Sequence, residues 1–330
     1  MQSRTKYYLV VVLIMLLAMV GQTVGPLALT ASAGAVRDDD NDKHDKNINN
    51  GNNDEWVPTG KGHGKLLEPG HKGPAARKGT AGNGISYHGG SVILGTTNVY
   101  YIWYGNWSSP VQSILTDLAN NIGGSPYFNI NTTYYNGNNT RVSNAVHYAQ
   151  STMDNYSQGT NLSDAGVQAV VSSAISSGRL PQDTNGVYFV LTSADVNETS
   201  GFCTRYCGWH TSAIFLNLPK LPDIKFSFVG NPARCPSACA AQTIGPNGNA
   251  GADGMASIIA HELEEAVTDP DLNAWYDSRG QENADKCAWT FGTLYRTSNG
   301  AYANMKLGTR DFLIQQNWVN AKGGYCAKAY

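Results

Sequence analysis

Hydrophobic positions are spread unevenly along this chain. Tyr7 to Val20 is an apolar run without a charge, preceded by Arg4 and Lys6 and followed by the small residues Ala31-Ser32-Ala33. That order predicts a signal peptide over residues 1–33 and a mature start near Gly34. The run is short for a membrane anchor, which needs about 20 apolar residues. Residues 34–83 then reverse the pattern. The stretch "RDDDNDKHDKNINNGNNDEW" has almost no aliphatic residues, so it buries too little apolar surface to offset the cost of ordering its backbone. We read 34–83 as a disordered, Asp/Asn/Gly-rich segment, with His44 a solvated linker residue.

Periodic patterns begin near Ile85 and mark a globular domain over 84–330. "SVILGTTNVYYIWYGNW" holds two β-rich runs separated by Gly95 and Thr96, of which Asn98 to Tyr104 has the aromatic and β-branched character of a buried strand. "PVQSILTDLANNIG" is amphipathic, opened by Pro110 and closed at Gly123. A second helix starts at Ser163 or Asp164 and stops at Gly178, and "GVYFVLTSADV" follows as a central strand. "SAIFLNL" and "IKFSFVGN" predict two further strands that pair antiparallel. With no internal repeat or heptad, the order implies a single mixed α/β (α+β) domain, a mixed sheet with packed helices.

Charge narrows the partners. Only 15% of residues are charged, the formal net charge is −2, and no basic block occurs, which excludes a nucleic-acid partner. No second hydrophobic span follows the leader, so the mature chain has none. Export places the six cysteines, Cys203, Cys207, Cys235, Cys239, Cys287 and Cys326, in an oxidising compartment, where they read as three structural disulfides of undetermined pairing. Six Asn-x-Ser/Thr sequons carry little weight in a chain so rich in these residues.

The candidate chemistry lies in "IIAHELEEAV", residues 258–267. Asp253-Gly254 predicts the helix start and Asp269-Pro270 its stop. At about 100° per residue, Met255, Ile258, Ile259, Leu263, Ala266 and Val267 form an apolar arc. His261 and Glu265 project side by side at its edge, and Glu264 falls on the opposite side, expected to face solvent. Glu262 falls inside the arc, where an unpaired carboxylate costs several kcal/mol. A metal and its bound water would compensate it, as in the zinc peptidases built on His-Glu-x-x-His, although here the second ligand position is Glu265. Glu282, seventeen residues after Glu265, supplies a third ligand, and Asp285 is expected to accept a hydrogen bond from His261 behind the metal. Asp269, Asp271 and Asp277 compete for that role. The expected ion is zinc, with calcium or manganese left open by the oxygen-rich set.

Five further stretches carry a resemblance: "YHGG" (87–90), "NVYYIWYGNW" (98–107), "GFCTRYCGWH" (201–210), "FVGNPARCPSAC" (228–239) and "PNGNAGADGM" (246–255). In type and order they resemble the EXORDIUM, or phosphate-induced protein 1, family. The resemblance implies a secreted protein with paired cysteines, whose plant members are linked to cell expansion and growth responses without an established chemistry. Those members resemble this chain through Thr268 and Pro270 but differ in having no His-Glu pair, a departure that implies a microbial branch with a zincin-like helix. His210 and His88 belong to the family-like stretches, and His210 is expected to be a buried, hydrogen-bonded residue. Tyr87, Tyr101, Trp103 and Tyr104 are expected in the core rather than on a carbohydrate platform.

Two expectations follow. In one, the protein is a secreted zinc-dependent peptidase or hydrolase in which His261, Glu265 and Glu282 hold the metal and Glu262 is the catalytic base. In the other it is a non-catalytic extracellular or cell-wall-associated binding or signalling protein. Its partner in either case is an extracellular peptide or cell-wall component. The first requires a cleft at Glu262; the second permits Glu262 to be neutralised by protein groups. No Gly-x-Ser-x-Gly elbow of a serine hydrolase appears.

Overall fold

The computed structural model describes Pro58, Lys61, residues 84–220 and residues 222–330. The expected signal peptide and nearly all of the expected tether lie outside the described residues. Of the tether, Pro58 is buried, and Lys61 Nζ donates to Asp164 Oδ2 at 2.8 Å and to Ser200 Oγ at 3.1 Å.

Five strands make one mixed sheet: β1 (Thr97–Tyr104), β2 (Val146–Asp154), β3 (Gly186–Thr192), β4 (Gly208–Ile214) and β5 (Asp223–Val229). Their spatial order is β2-β1-β3-β5-β4, with the first four parallel and β4 antiparallel on the edge beside β5. β3 is buried at every position, as its continuous Val/Tyr/Phe/Leu run requires of a strand covered on both faces. β4 and β5 pair antiparallel as the sequence predicts, although β4 runs earlier than the "SAIFLNL" run and shares only Ser212 to Ile214 with it. The earlier run at Val92 and Ile93 is buried but forms no strand; Ile93 instead donates its backbone N–H to the Val267 carbonyl at 3.0 Å.

Three helices pack on this sheet. Helix α1 (Ser109–Ile122) carries its proline in the first turn and ends at Gly123. Helix α2 (Asp164–Ser176) is capped by Ser163, whose side chain accepts the Gly166 N–H, and is followed by Gly178 at φ +72°. Helix α3 (Ala250–Thr268) begins earlier than the pattern predicts. Asn249 caps it by accepting the Ala252 N–H at 2.9 Å, so Asp253 lies inside the first turn, where its carboxylate holds Asn247. It stops at Asp269, before Pro270, as expected.

α3 is central. It packs against α1, β4 and β5, and from Met255 to Thr268 every residue is buried. A helix so enclosed has no solvent face, which corrects the expectation for Glu264. Glu264 is fully buried; its Oε2 accepts a hydrogen bond from Asn317 Nδ2, and burial pushes its carboxyl well above the usual range.

The cysteines form three bridges, Cys203–Cys235, Cys207–Cys239 and Cys287–Cys326. Two of them clamp the loop before β4 to the turn after β5, and the third fixes the C-terminal strand to a short turn at Asp285–Cys287. Tyr101, Trp103 and Tyr104 are buried in the core, as expected, and Tyr87 is partly buried beside Trp275. No helix of the described residues is long and apolar enough to cross a membrane.

Candidate metal centre

Three segments converge on one point of α3. The helix itself contributes Glu262, Glu265 and Asp269, spaced i, i+3 and i+7 so that they share a face. β4 contributes His210. Because side chains alternate along a strand, Gly208 and His210 project from the same face, and here that face meets α3. Gly208 is required by the approach: a Cβ there would lie 2.6 Å from Ile258 Cγ2, 2.9 Å from the Phe228 carbonyl and 3.0 Å from Glu262 Oε1. Trp209 turns to the other face and packs on Phe226 and Phe228.

The third segment is the loop after Tyr276. Asp277 organises it, its Oδ1 accepting the backbone N–H groups of Arg279 and Gln281 at 2.8 and 3.0 Å and its Oδ2 pairing with Lys286 at 2.8 Å. Glu282 and Asp285 are thereby held over the α3 face, and the Cys287–Cys326 bridge secures the end of the turn.

His210 occupies the middle. Its Nδ1 lies 3.4 Å from Glu262 Oε2 and 3.5 Å from Glu265 Oε2, and its Nε2 lies 3.5 Å from Glu282 Oε1. His210 is buried and hydrogen-bonded, as expected from the sequence, and its partner is Glu262 of the acidic helix. Only the period-two relation to Gly208, with a glycine marking close helix approach, could have signalled it. On the other side of Glu265, His261 Nε2 lies 3.1 Å from Glu265 Oε1 and 3.6 Å from Asp285 Oδ1, and the Asp285 backbone N–H donates to Glu265 Oε1 at 3.0 Å.

The expected ligands therefore separate into two sets that share Glu265. His261, Glu265 and Asp285 offer ligand atoms within 4.8 Å of one another, as do His210, Glu265 and Glu282. Asp285, expected behind His261, stands beside it as a potential ligand; Glu282 faces His210 instead of His261. The competitors each bind other groups through one oxygen or more, although Asp269 Oδ2 has no hydrogen-bond partner among the described residues. Asp269 Oδ1 accepts the Asn273 and Ala274 N–H groups at 2.6 Å, Asp271 takes the Ser91 hydroxyl, and Asp277 holds its loop. His88 stacks on Tyr276 with ring centroids 3.6 Å apart.

Burial sets the electrostatics. Glu262, Glu265 and Glu282 are each 1% exposed. Burial raises the Glu262 carboxyl to about 7 against the lowering effect of His210. It raises Glu282 well above the usual range, opposed by His210. For Glu265 burial also acts upward, but the flanking His261 and His210 outweigh it and hold the carboxyl at about 2. Burial likewise pulls both imidazoles down, and the surrounding carboxylates overcome it, Glu282 foremost for His210 and Glu265 for His261, so both are raised well above the ordinary value.

Several polar atoms have no hydrogen-bond partner among the described residues: Glu265 Oε2, Glu282 Oε1, Asp285 Oδ1 and both ring nitrogens of His261. Buried polar groups are normally satisfied, and His261, Glu265, Glu282 and Asp285 belong to sets that offer ligand atoms within 4.8 Å of one another, which fits a bound cation. The donor set, imidazole nitrogen with carboxylate oxygen, suits zinc or manganese.

The phosphate-induced protein 1 conserved region matches residues 85–326. Protein EXORDIUM-like 5 of Arabidopsis thaliana is 32% identical over 71% of this chain and 75% of its own length. Protein EXORDIUM-like 3 of the same plant is 30% identical over 73% and 82%. Protein PHOSPHATE-INDUCED 1 of Nicotiana tabacum is 25% identical over 66% and 74%. These relatives are plant proteins and lend no support to the expected microbial branch. No solved structure matches, so the zincin-like architecture also draws no support.

Proposed function

This chain belongs to the phosphate-induced protein 1 family, and we propose that it is a non-catalytic extracellular protein, associated with the cell wall and growth responses, whose buried His–carboxylate centre holds zinc as a structural element. The observation that carries this reading is the state of Glu262. A peptidase base needs a cleft where a substrate carbonyl can approach; Glu262 is 1% exposed and its Oε2 is covered by His210 Nδ1 of the neighbouring strand at 3.4 Å. Three protein ligands leave a fourth position at a tetrahedral ion, but with Glu262, Glu265 and Glu282 each 1% exposed no substrate reaches it, which favours a structural role over a catalytic one.

His261, Glu265 and Asp285 would hold the ion, which would tie α3 to the loop after Tyr276 and supply positive charge to a buried acidic cluster. The apolar leader and three disulfides support an extracellular location. The partner class is an extracellular peptide or cell-wall component.

The test is to incubate the purified zinc-loaded protein with a mixed peptide library, beside Glu262→Gln. The reading expects no cleavage from either. Cleavage by the wild type that disappears in Glu262→Gln would overturn it in favour of the peptidase.

A further inference from the structure

We propose that the centre holds two divalent cations bridged by Glu265, one shared with His261 and Asp285 and the other with His210 and Glu282. This rests on the reading of the centre as a cation site and extends it in number and arrangement.

The first argument is the division of the ligands. Each set contains one imidazole, one terminal carboxylate and one oxygen of Glu265: Oε1 faces His261 and Oε2 faces His210. A carboxylate whose two oxygens face two separate ligand sets is the bridge of a two-metal site, where the ions stand about 3.5–4 Å apart. In the first set both separations from His261 Nε2, 3.1 and 3.6 Å, are also the right size; in the second, Glu265 Oε2 stands against Nδ1 and Glu282 Oε1 against Nε2 of His210, with the three ligand atoms within 4.8 Å of one another. Ligands bound tetrahedrally at about 2.0–2.1 Å lie roughly 3.3 Å from each other. Hydrogen bonds of good geometry would be nearer about 2.9 Å.

The second argument is the unsatisfied atoms. A single ion at His261 would take up Glu265 Oε1 and Asp285 Oδ1, leaving Glu265 Oε2 and Glu282 Oε1 without partners in a region about as buried as the protein core. Both of these atoms border His210. An ion there would be coordinated by both, at a face where the missing Cβ of Gly208 lets β4 approach α3 closely.

The third argument is charge. Glu262, Glu265, Asp269, Glu282 and Asp285 crowd around two imidazoles, and no Lys or Arg forms an ion pair with any of them among the described residues. Bound imidazoles are neutral. One divalent ion would leave most of that negative charge uncompensated, whereas two nearly cancel it.

The closing experiment dialyses the full mature protein free of metal and titrates it with zinc, reading stoichiometry by calorimetry and elemental mass spectrometry. Two equivalents per chain are expected. His210→Ala should retain one equivalent, His261→Ala one, and Glu265→Ala none, with near-ultraviolet circular dichroism checking that each is folded. Because a variant could fail to fold, the wild type loaded with manganese provides a second reading: an exchange-coupled pair in electron paramagnetic resonance is expected. One equivalent, with an uncoupled manganese signal, overturns the two-ion arrangement and leaves the single-ion reading intact. Absence of any binding overturns both.

Discussion

His210 Nδ1 on β4 stands 3.4 Å from Glu262 Oε2 on α3, and neither side chain is more than 1% exposed. The pair spans 52 residues of sequence and joins the edge strand to the central helix. It explains how a carboxylate can sit on an apolar helical arc. Removing one partner from such a buried pair leaves the other uncompensated. His210→Ala is therefore expected to destabilise the protein by about 3–5 kcal/mol. Adding Glu262→Gln should recover part of that loss, so the double variant falls short of the sum of the singles. Urea unfolding of the four proteins checks the coupling.

Gly208 sets how closely α3 meets β4. Gly208→Ala would drive a methyl group into Ile258, the Phe228 carbonyl and Glu262. Overpacking of this kind costs about 1–3 kcal/mol, and because two of the three neighbours lie on α3, which carries Glu265 and His261, zinc affinity should fall with stability. Serine should be no better, which distinguishes crowding from lost polarity. Calorimetric zinc titration beside a denaturant curve reads both effects.

The pH dependence of the metal-free protein follows from the raised groups. Glu262 is raised to about 7 and Asp269 to about 6, each chiefly by burial. In the folded state they hold protons that the unfolded chain has released above the ordinary carboxyl range. Their contribution is thus fully present below about pH 4, and is lost as pH rises through 6 and 7. Glu265, held at about 2, acts oppositely and loses its contribution only as pH falls towards 2. Metal-free protein should become less stable from about pH 4.5 to 7.5. Zinc requires the carboxylates ionised, so the stabilisation it provides should widen over the same range. Thermal unfolding with and without zinc across that range measures the two slopes.

The Cys287–Cys326 bridge closes the turn that presents Asp285. Replacing both cysteines by serine is expected to cost about 2–4 kcal/mol. It should also weaken zinc binding, whereas removal of Cys203–Cys235, which lies before β4 and after β5, should cost stability with a smaller effect on zinc. Parallel unfolding and zinc titrations of the two double variants separate the contributions.

Much of the fold was legible where a local signal set it. Pro110, Ser163 and Gly178 mark helix ends by their own backbone chemistry, and the structure places those ends within two residues of them. α3 shows where local reading stops. Its start at Asn249 was hidden behind the acidic Asp253, an equally plausible cap, which instead serves the preceding loop. The helical wheel located Glu262 in the buried arc but assigned Glu264 to solvent, because a wheel assumes one open face and this helix has none. The ligand sets could not be divided from spacing alone. Glu282 and Asp285 are three residues apart, and which imidazole each faces depends on a loop built by Asp277 and on a strand from far upstream that brings in His210.

The most direct test of the cation-holding centre is a crystal of the mature protein grown with zinc and measured on both sides of the zinc absorption edge. The account predicts anomalous density beside Glu265, adjoining His261 and Asp285, with a second peak towards His210 and Glu282. A well-ordered centre with no anomalous density, its carboxyl oxygens paired through shared protons, would contradict it.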